Sequence, residues 1–294
     1  MHVFVAGATG AVGALLVPLL IDGGHQVTGT ARTEAGLGRL RAQGAVPVQV
    51  DVFDAGGLRG ALESASPDTV IHQLTALAGG SPADNGRIRR EGTRNLVDSA
   101  RNAGVKRIIA QSVAWAYEPG DGPADETVRL DEADPSRATL VGGVRALEEA
   151  VAELEEYVVL RYGVLYGPRT WYSPGGMAAD KLAGRLPADD PAAVLLGGLR
   201  ADDAVTSFVH AADAARAAVD ALDWPSGVVN IVDDEPAAGR DWLPVLAEVL
   251  GVPVPPAETG GARWQRGARN TRARSLGWRP KYPTWRSGFP SMPS

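Results

Sequence analysis

No cysteine occurs among the 294 residues, so the chain has no disulfide, no cysteine-bound iron–sulfur cluster and no thiolate nucleophile. Its four histidines, His2, His25, His72 and His210, are scattered, without H-E-x-x-H or carboxylate spacing, so no metal site is expected. A G-x-S-x-G elbow is absent, which removes the α/β serine hydrolases. No apolar run approaches the roughly 20 residues of a membrane span, and no membrane partner is expected. The opening MHVFVAGATG has no basic region and enters a strand at once, unlike a secretory leader. Together these absences give the expectation of a cytoplasmic protein. Acidic residues are missing after Glu258, where Arg263, Arg266, Arg269, Arg272, Arg274, Arg279, Lys281 and Arg286 stand. The net charge is −6, so that tail carries +8 and the remainder −14. Such a tail is expected to fold back on the acidic body or meet a phosphorylated ligand rather than nucleic acid, for which an acidic chain is a poor partner.

What is present is β-α alternation. Strand-like runs at His2–Ala6, Gln26–Thr30, Val46–Val50, Thr69–Leu74, Arg107–Gln111 and Tyr157–Arg161 alternate with helical stretches near 11–22, 35–43, 55–64, 84–103 and 136–155. This predicts an α/β fold, a doubly wound parallel sheet with right-handed crossovers. Pro18 is expected to kink the first helix. After a Pro/Gly-rich region from Gly163 to Gly198 come a strand (Val205–Val209), a helix (Ala211–Leu222), a strand (Val228–Val232) and a helix (Asp241–Leu250). Residues 1–165, with return segments near 205–235, are expected to form a dinucleotide-binding domain. Residues 166–204 and 236–294 are expected to form a smaller substrate-binding domain.

Directly after the first strand comes GATGAVG. Gly7 permits a tight turn, Gly10 lets backbone approach a pyrophosphate, and Gly13 allows close helix–strand contact. Thr9, Ala11 and Val12 supply amides at the helix N-terminus. At the end of the second strand, Ala31 replaces the carboxylate that holds ribose hydroxyls, and Arg32 follows. That pair accommodates a 2′-phosphate, so NADP(H) is predicted over NAD(H).

These motifs, with DVFD (51–54), DTVIHQLTA (68–76), EGTRNLVDSARNAGVKRIIAQS (91–112), LRYGVLYGP (160–168), SFVHAADAA (207–215), VVNIVDDEP (228–236) and LGWRPKYPTWRSGF (276–289), occur in an order that resembles the extended short-chain dehydrogenase/reductase superfamily, in its NAD(P)-dependent epimerase/dehydratase branch. The resemblance implies a Rossmann-type NAD(P)-binding domain and a small-molecule substrate. It implies that Asp51 and Val52 meet the adenine, with Asp54 a helix cap, and that Leu74, Thr75 and Ala76 pass the nicotinamide-side phosphate and ribose. It also brings Tyr162, Val164 and the turn Tyr166-Gly167-Pro168 to the nicotinamide, and makes His210 and Asp213 a corner of the substrate domain.

That family does its acid/base work with Tyr-x-x-x-Lys one helical turn apart and a Ser or Thr at the end of the fifth strand. Aligning the following Gly with Gly142 and the downstream Glu with Glu149 puts Val141 at the tyrosine and Arg145 at the lysine. Valine has no proton to give; Arg145 keeps a charge for ribose or phosphate but shuttles no proton. The hydroxyl position falls on Val113, and Ser112 substitutes only if the strand end bulges. Arg89 replaces the usual Asn of Asn-x-x-Gly-Thr, and Thr206 an Arg that nucleotide-sugar enzymes carry, which speaks against nucleotide-sugar substrates. Tyr157-x-x-x-Arg161 has the spacing but lies in a buried strand. Replacement groups are Tyr166, Tyr117, Ser112 and His210, with Arg145; Tyr162, Tyr172, Asp121 and Asp125 are further candidates. Val113, Trp115, Tyr117, Val141, Tyr166, Trp171, Tyr172 and His210 are the expected substrate wall.

The expected activity is that of a divergent NADP(H)-binding oxidoreductase or epimerase/dehydratase acting on a non-nucleotide small molecule, in specialised metabolism. Two alternatives stay open: a non-redox isomerase, lyase or cyclase on this fold, and an NmrA-like dinucleotide sensor or scaffold. Homodimers of the family often pair through the helices near 84–103 and 136–155. Here Glu148, Glu149, Glu153, Glu155 and Glu156 would set like charges together, and the oligomeric state stays open.

Overall fold

The computed structural model describes residues 1–76, 82–187, 189–190, 196–197 and 199–292; part of the 163–198 region thus lies outside the described residues. Near-continuous apolar runs fold into central parallel strands: β1 (His2–Ala6), β2 (Gln26–Ala31), β3 (Val46–Gln49), β4 (Thr69–His72), β5 (Arg107–Val113), β6 (Glu156–Tyr162) and, later in the chain, β10 (Gly227–Ile231). Their order is β3-β2-β1-β4-β5-β6-β10, every pairing parallel. The order reverses between β1 and β4, and that switch opens a crevice at the carboxyl ends of the strands.

Both faces of the sheet are buried. Val3, Val5, Ile71, Ile109 and Leu160 pack with Leu16 and Leu20 of α1 (Gly13–Asp22) and with Ala214 and Ala218 of α8 (Ala211–Asp220). Phe4, Val70, Ile108 and Val159 pack with α3 (Ala55–Ala65), α5 (Thr93–Asn102) and α6 (Ala138–Val151) through Leu58, Leu62, Leu96, Val97, Leu147 and Val151. Each such valine, leucine, isoleucine or phenylalanine contributes about 1.5–3 kcal/mol by leaving water. Helix α2 (Glu34–Ala42) follows β2, and α4 (Pro82–Arg87) leads into α5 through a π turn, Ile88–Gly92. α1 runs unbroken through Pro18.

A further core lies beyond β6. Tyr166 of β7 (Val164–Tyr166), Phe208 of β9 (Phe208–His210), Trp242 and Leu246 of α9 (Gly239–Leu250), and Trp285 and Phe289 pack together with α7 (Met177–Leu182) against their edge. The single strand expected at 205–209 is two: β8 (Val205–Thr206) pairs with β11 (Ala237–Ala238), while β9 pairs with β7. The break falls at Ser207, whose Oγ accepts from the Ala268 amide (2.9 Å) and reaches its carbonyl (3.2 Å). A returning segment thus takes the place of a continued ladder.

That segment belongs to the basic tail, which folds back on the acidic body. Helices α10 (Thr271–Ser275) and α11 (Trp285–Gly288) bracket a stretch in which Trp278 and Trp285 are fully buried. Arg274 pairs with Asp234, Arg286 with Glu235 and Arg263 with Asp121. The Asp213 carboxylate accepts from the Lys281 and Tyr282 amides at 2.7 and 2.9 Å.

Candidate active site at the carboxyl ends of β1, β4 and β5

The turn after β1 has the shape a phosphate cradle needs. Gly7 is left-handed (φ 87°), and a Cβ there would lie 2.6 Å from the Gln73 backbone. A Cβ at Gly13 would collide with the Gly7 carbonyl, whereas one at Gly10 would meet only that carbonyl, at 3.4 Å. Gly7 and Gly13 are therefore demanded by the fold, while Gly10 faces open space. Among the described residues the amides of Ala11 and Val12 have no acceptor, at the start of α1, where the helix field favours an anion. Thr9 and Ala11 are half-buried beside them.

At the end of β2, Ala31 is buried and Arg32 exposed, and among the described residues the Arg32 side chain has no ion pair. Asp51 is exposed and Val52 buried, and Asp54 caps α3 by accepting from Gly57 (2.9 Å). The loop after β4 is held at both sides: the Leu74 carbonyl accepts from Gln111 Nε2 (2.7 Å), and the Ala76 amide donates to Asn85 (3.3 Å). Thr75 between them is exposed. Val164 is half-buried; Tyr162 is buried, accepts from Gln73 and donates to the Ala214 carbonyl, holding the sheet to α8.

At Val141 and Arg145, the position the sequence comparison assigns to the acid/base pair, the tyrosine place is apolar. Val141 is fully buried with Ala116 and Val144, and Val113 packs against them half-buried. Arg145 is half-exposed and bonded to Glu132 (2.8 Å), with Glu149 at 3.7 Å. β5 continues without a bulge, Ser112 opposite Arg161 and Val113 opposite Tyr162. The condition for Ser112 to stand in is not met: its hydroxyl turns toward α6 and donates to Glu148 Oε1 at 2.6 Å. Glu148 in turn takes Arg161 in a two-pronged pair of 2.9 and 2.6 Å.

The tyrosines expected as replacements are buried. Tyr117 donates to Asn230 Oδ1 at 2.5 Å beneath Arg161, and burial pushes its phenol up to about 12. Tyr166 is packed edge-on against Phe208, His210 and Phe289, and a Cβ at Gly288 would collide with its hydroxyl. Its phenol is pushed up by burial and then by Asp233, and has no hydrogen-bond partner among the described residues. His210 caps α8, its Nδ1 accepting from the Ala212 amide (3.1 Å), and stacks on Tyr282; burial and Lys281 lower it to about 4. That imidazole is neutral with one lone pair already taken. Trp115, Trp171 and Tyr172 are half-buried and are the aromatics of the expected wall that keep exposed surface.

Two arginines take places that the sequence did not assign them. Arg169, left-handed at φ 66°, donates from Nη2 to the Thr9 carbonyl (2.9 Å), strapping the segment after β7 to the glycine turn. Arg89 on the π turn lies against Gly143. Proximity to the YGP turn was the available signal for Arg169; the placement of Arg89 against α6 depends on a contact 54 residues away.

A family model described as "NAD dependent epimerase/dehydratase family" matches residues 3–232. A 3-diazoavenalumate denitrifying reductase from a Streptomyces species is 41% identical, over 98% of this chain and 99% of its own. Among solved structures, the UDP-glucose 4-epimerase of Thermotoga maritima with UDP-glucose superposes with a TM-score of 0.74 at 22% identity, over 99% and 96% of the two chains. The UDP-glucose 4-epimerase of Thermus thermophilus with NAD gives 0.72 at 24%, over 99% and 97%. With no helix among the described residues long and apolar enough to cross a membrane, a doubly wound sheet and a glycine turn shaped for a pyrophosphate, the chain belongs to the NAD-dependent epimerase/dehydratase family and is a nicotinamide-dinucleotide enzyme of that oxidoreductase and epimerase type.

Proposed function

We propose that this enzyme is an NADP(H)-dependent reductase that removes dinitrogen from a diazonium-bearing aromatic carboxylate. The observation that carries the reading is the apolar acid/base position: Val141 sealed by Ala116 and Val144, Arg145 taken by Glu132, Ser112 taken by Glu148. Reduction of a carbonyl needs a proton as well as a hydride, and the usual Tyr and Lys supply and tune it. A diazonium ion needs none: R–N2+ plus a hydride equivalent gives R–H and N2, with atoms and charge balanced. The 41% identical reductase, whose name specifies a diazo substrate and loss of nitrogen, supports the same chemistry.

A bound reduced nicotinamide would supply the hydride equivalent. The amides of Ala11 and Val12 and the open side of Gly10 would hold the pyrophosphate, and Arg32 beside Ala31 the 2′-phosphate. Trp115, Trp171 and Tyr172 would face the aromatic ring, the only setting in which a diazonium ion lasts long enough to be a substrate. A neutral, apolar wall at Val141 suits a cationic reacting centre that is to become neutral, because it offers no nucleophile to trap it.

The direct test mixes the protein and NADPH with a ring-diazotised hydroxycinnamate and measures dinitrogen by membrane-inlet mass spectrometry. One N2 per NADPH oxidised, above the protein-free rate, is expected; dinitrogen release that the protein does not accelerate overturns the reading.

A further inference from the structure

We infer that Arg89 is the carboxylate-recognising residue of this site, a specificity determinant for an anionic substrate. The inference rests on the proposed small-carboxylate chemistry and adds where the anion is read.

The placement follows from two helices. His72, the last residue of β4, bonds through Nε2 to Thr93 Oγ1 (2.9 Å) at the start of α5, and Thr93 reaches back to the Ile88 carbonyl (3.2 Å). Arg89 sits one turn before Thr93, so it lies beyond the carboxyl end of β4. On α6, Glu148 is fixed at the ends of β5 and β6 by Ser112 and Arg161. Gly143 precedes it by five residues, about 7.5 Å farther out along the axis. A Cβ at Gly143 would lie 3.6 Å from Arg89 Cδ and 3.8 Å from its Cβ, so the arginine stem crosses α6 at that level, two residues from Val141. Asn85, a turn earlier than Arg89, holds the Ala76 amide of the loop after β4. Arg89 therefore lies where that loop and the start of α6 wall the crevice. A π turn presents it, an irregularity common at functional sites.

The charge balance is the second observation. Among the described residues Arg89 makes no hydrogen bond and no ion pair, although it is half-buried. The carboxylate nearby, Glu148, is already engaged by Arg161 and by Ser112. One carboxylate thus faces two guanidiniums, and Arg90, bonded to the Thr139 carbonyl, adds a third cation at the rim. Burial, with Arg90 contributing, lowers Arg89 to about 10. A cation partly withdrawn from water with no counter-charge of its own is costly, and an incoming anion relieves that cost. A planar guanidinium matches a carboxylate with two parallel hydrogen bonds. The proposed cofactor's phosphates would be met by the glycine turn after β1 and by Arg32, which leaves the substrate as the source of the anion.

The test compares cinnamate with cinnamamide, its neutral isostere, by calorimetric titration into the NADPH-loaded protein. Cinnamate is expected to bind roughly tenfold or more tightly. Arg89→Gln should erase that discrimination with NADPH affinity unchanged, and Arg89→Lys should keep part of it. Because the substitution removes an unpaired, half-buried charge, the ligand-free Arg89→Gln protein should melt no lower than the parent, which separates recognition from folding. Equal binding of the two probes by the parent, discrimination surviving in Arg89→Gln, or a loss of NADPH affinity in that variant overturns the assignment. These readouts need no turnover, so absence of dinitrogen release would count against the reductase reading without touching this one.

Discussion

Two single residues carry most of the functional argument, and each makes its own forecast. Arg32 is exposed beside Ala31 and has no ion pair among the described residues, so on the proposed 2′-phosphate reading Arg32→Asp should invert a preference for NADPH over NADH, read as a reversal of the two dissociation constants; unchanged NADPH affinity contradicts the phosphate assignment. Val141 is fully enclosed, so Val141→Tyr should not restore an acid. It should overpack the Ala116–Val144 cluster and cost about 1–3 kcal/mol in urea denaturation. The glycine turn was legible in the sequence because it is a local pattern with its own backbone geometry. The occupation of Ser112 by Glu148 was not, since it depends on where α6 crosses the end of β5. The burial of Tyr166 depends likewise on Gly288, 122 residues later, which leaves room for its hydroxyl.

At the scale of elements, strands β1 to β6 were readable to within two residues at either end because their apolar runs are bounded by turns and helical periodicity. The 205–209 strand was not readable as two, because Ser207 is claimed by Ala268, a partner that no local pattern announces. Helix α6 is tied to the sheet by the Glu148–Arg161 pair, whose side chains are 11% and 6% exposed. Glu148→Ala should leave that arginine uncompensated and cost about 3–5 kcal/mol, while adding Arg161→Met should recover much of the loss. A double-mutant cycle by chemical denaturation measures the coupling. Additive losses would show that the pair does not hold α6.

Across the whole molecule, three buried titratable groups shape the pH dependence of stability. His72 and His210 are lowered from 6.5 to about 4 by burial, so the unfolded chain binds protons more readily, and stability falls as pH drops from about 6.5 towards 4. Asp233 is raised to about 8 by burial and accepts from the Trp285 amide; its contribution is complete below 3.8 and lost as pH rises through 8. Asp233 opposes the two histidines below pH 6.5 and acts alone above it, so the unfolding free energy should peak near pH 6.5 with falls of similar slope on either side, and Asp233→Asn should flatten the alkaline limb and steepen the acid one. A monotonic profile in denaturant titrations from pH 4 to 9 contradicts this assignment. The central claim concerns chemistry, and one isotope experiment reaches it most directly. The diazonium substrate is reduced in D2O with unlabelled NADPH, and then in H2O with NADPH deuterated at the nicotinamide C4. A site that lacks a proton donor predicts no deuterium on the ring carbon in the first case and one deuterium in the second. Deuterium entering that carbon from D2O would contradict it.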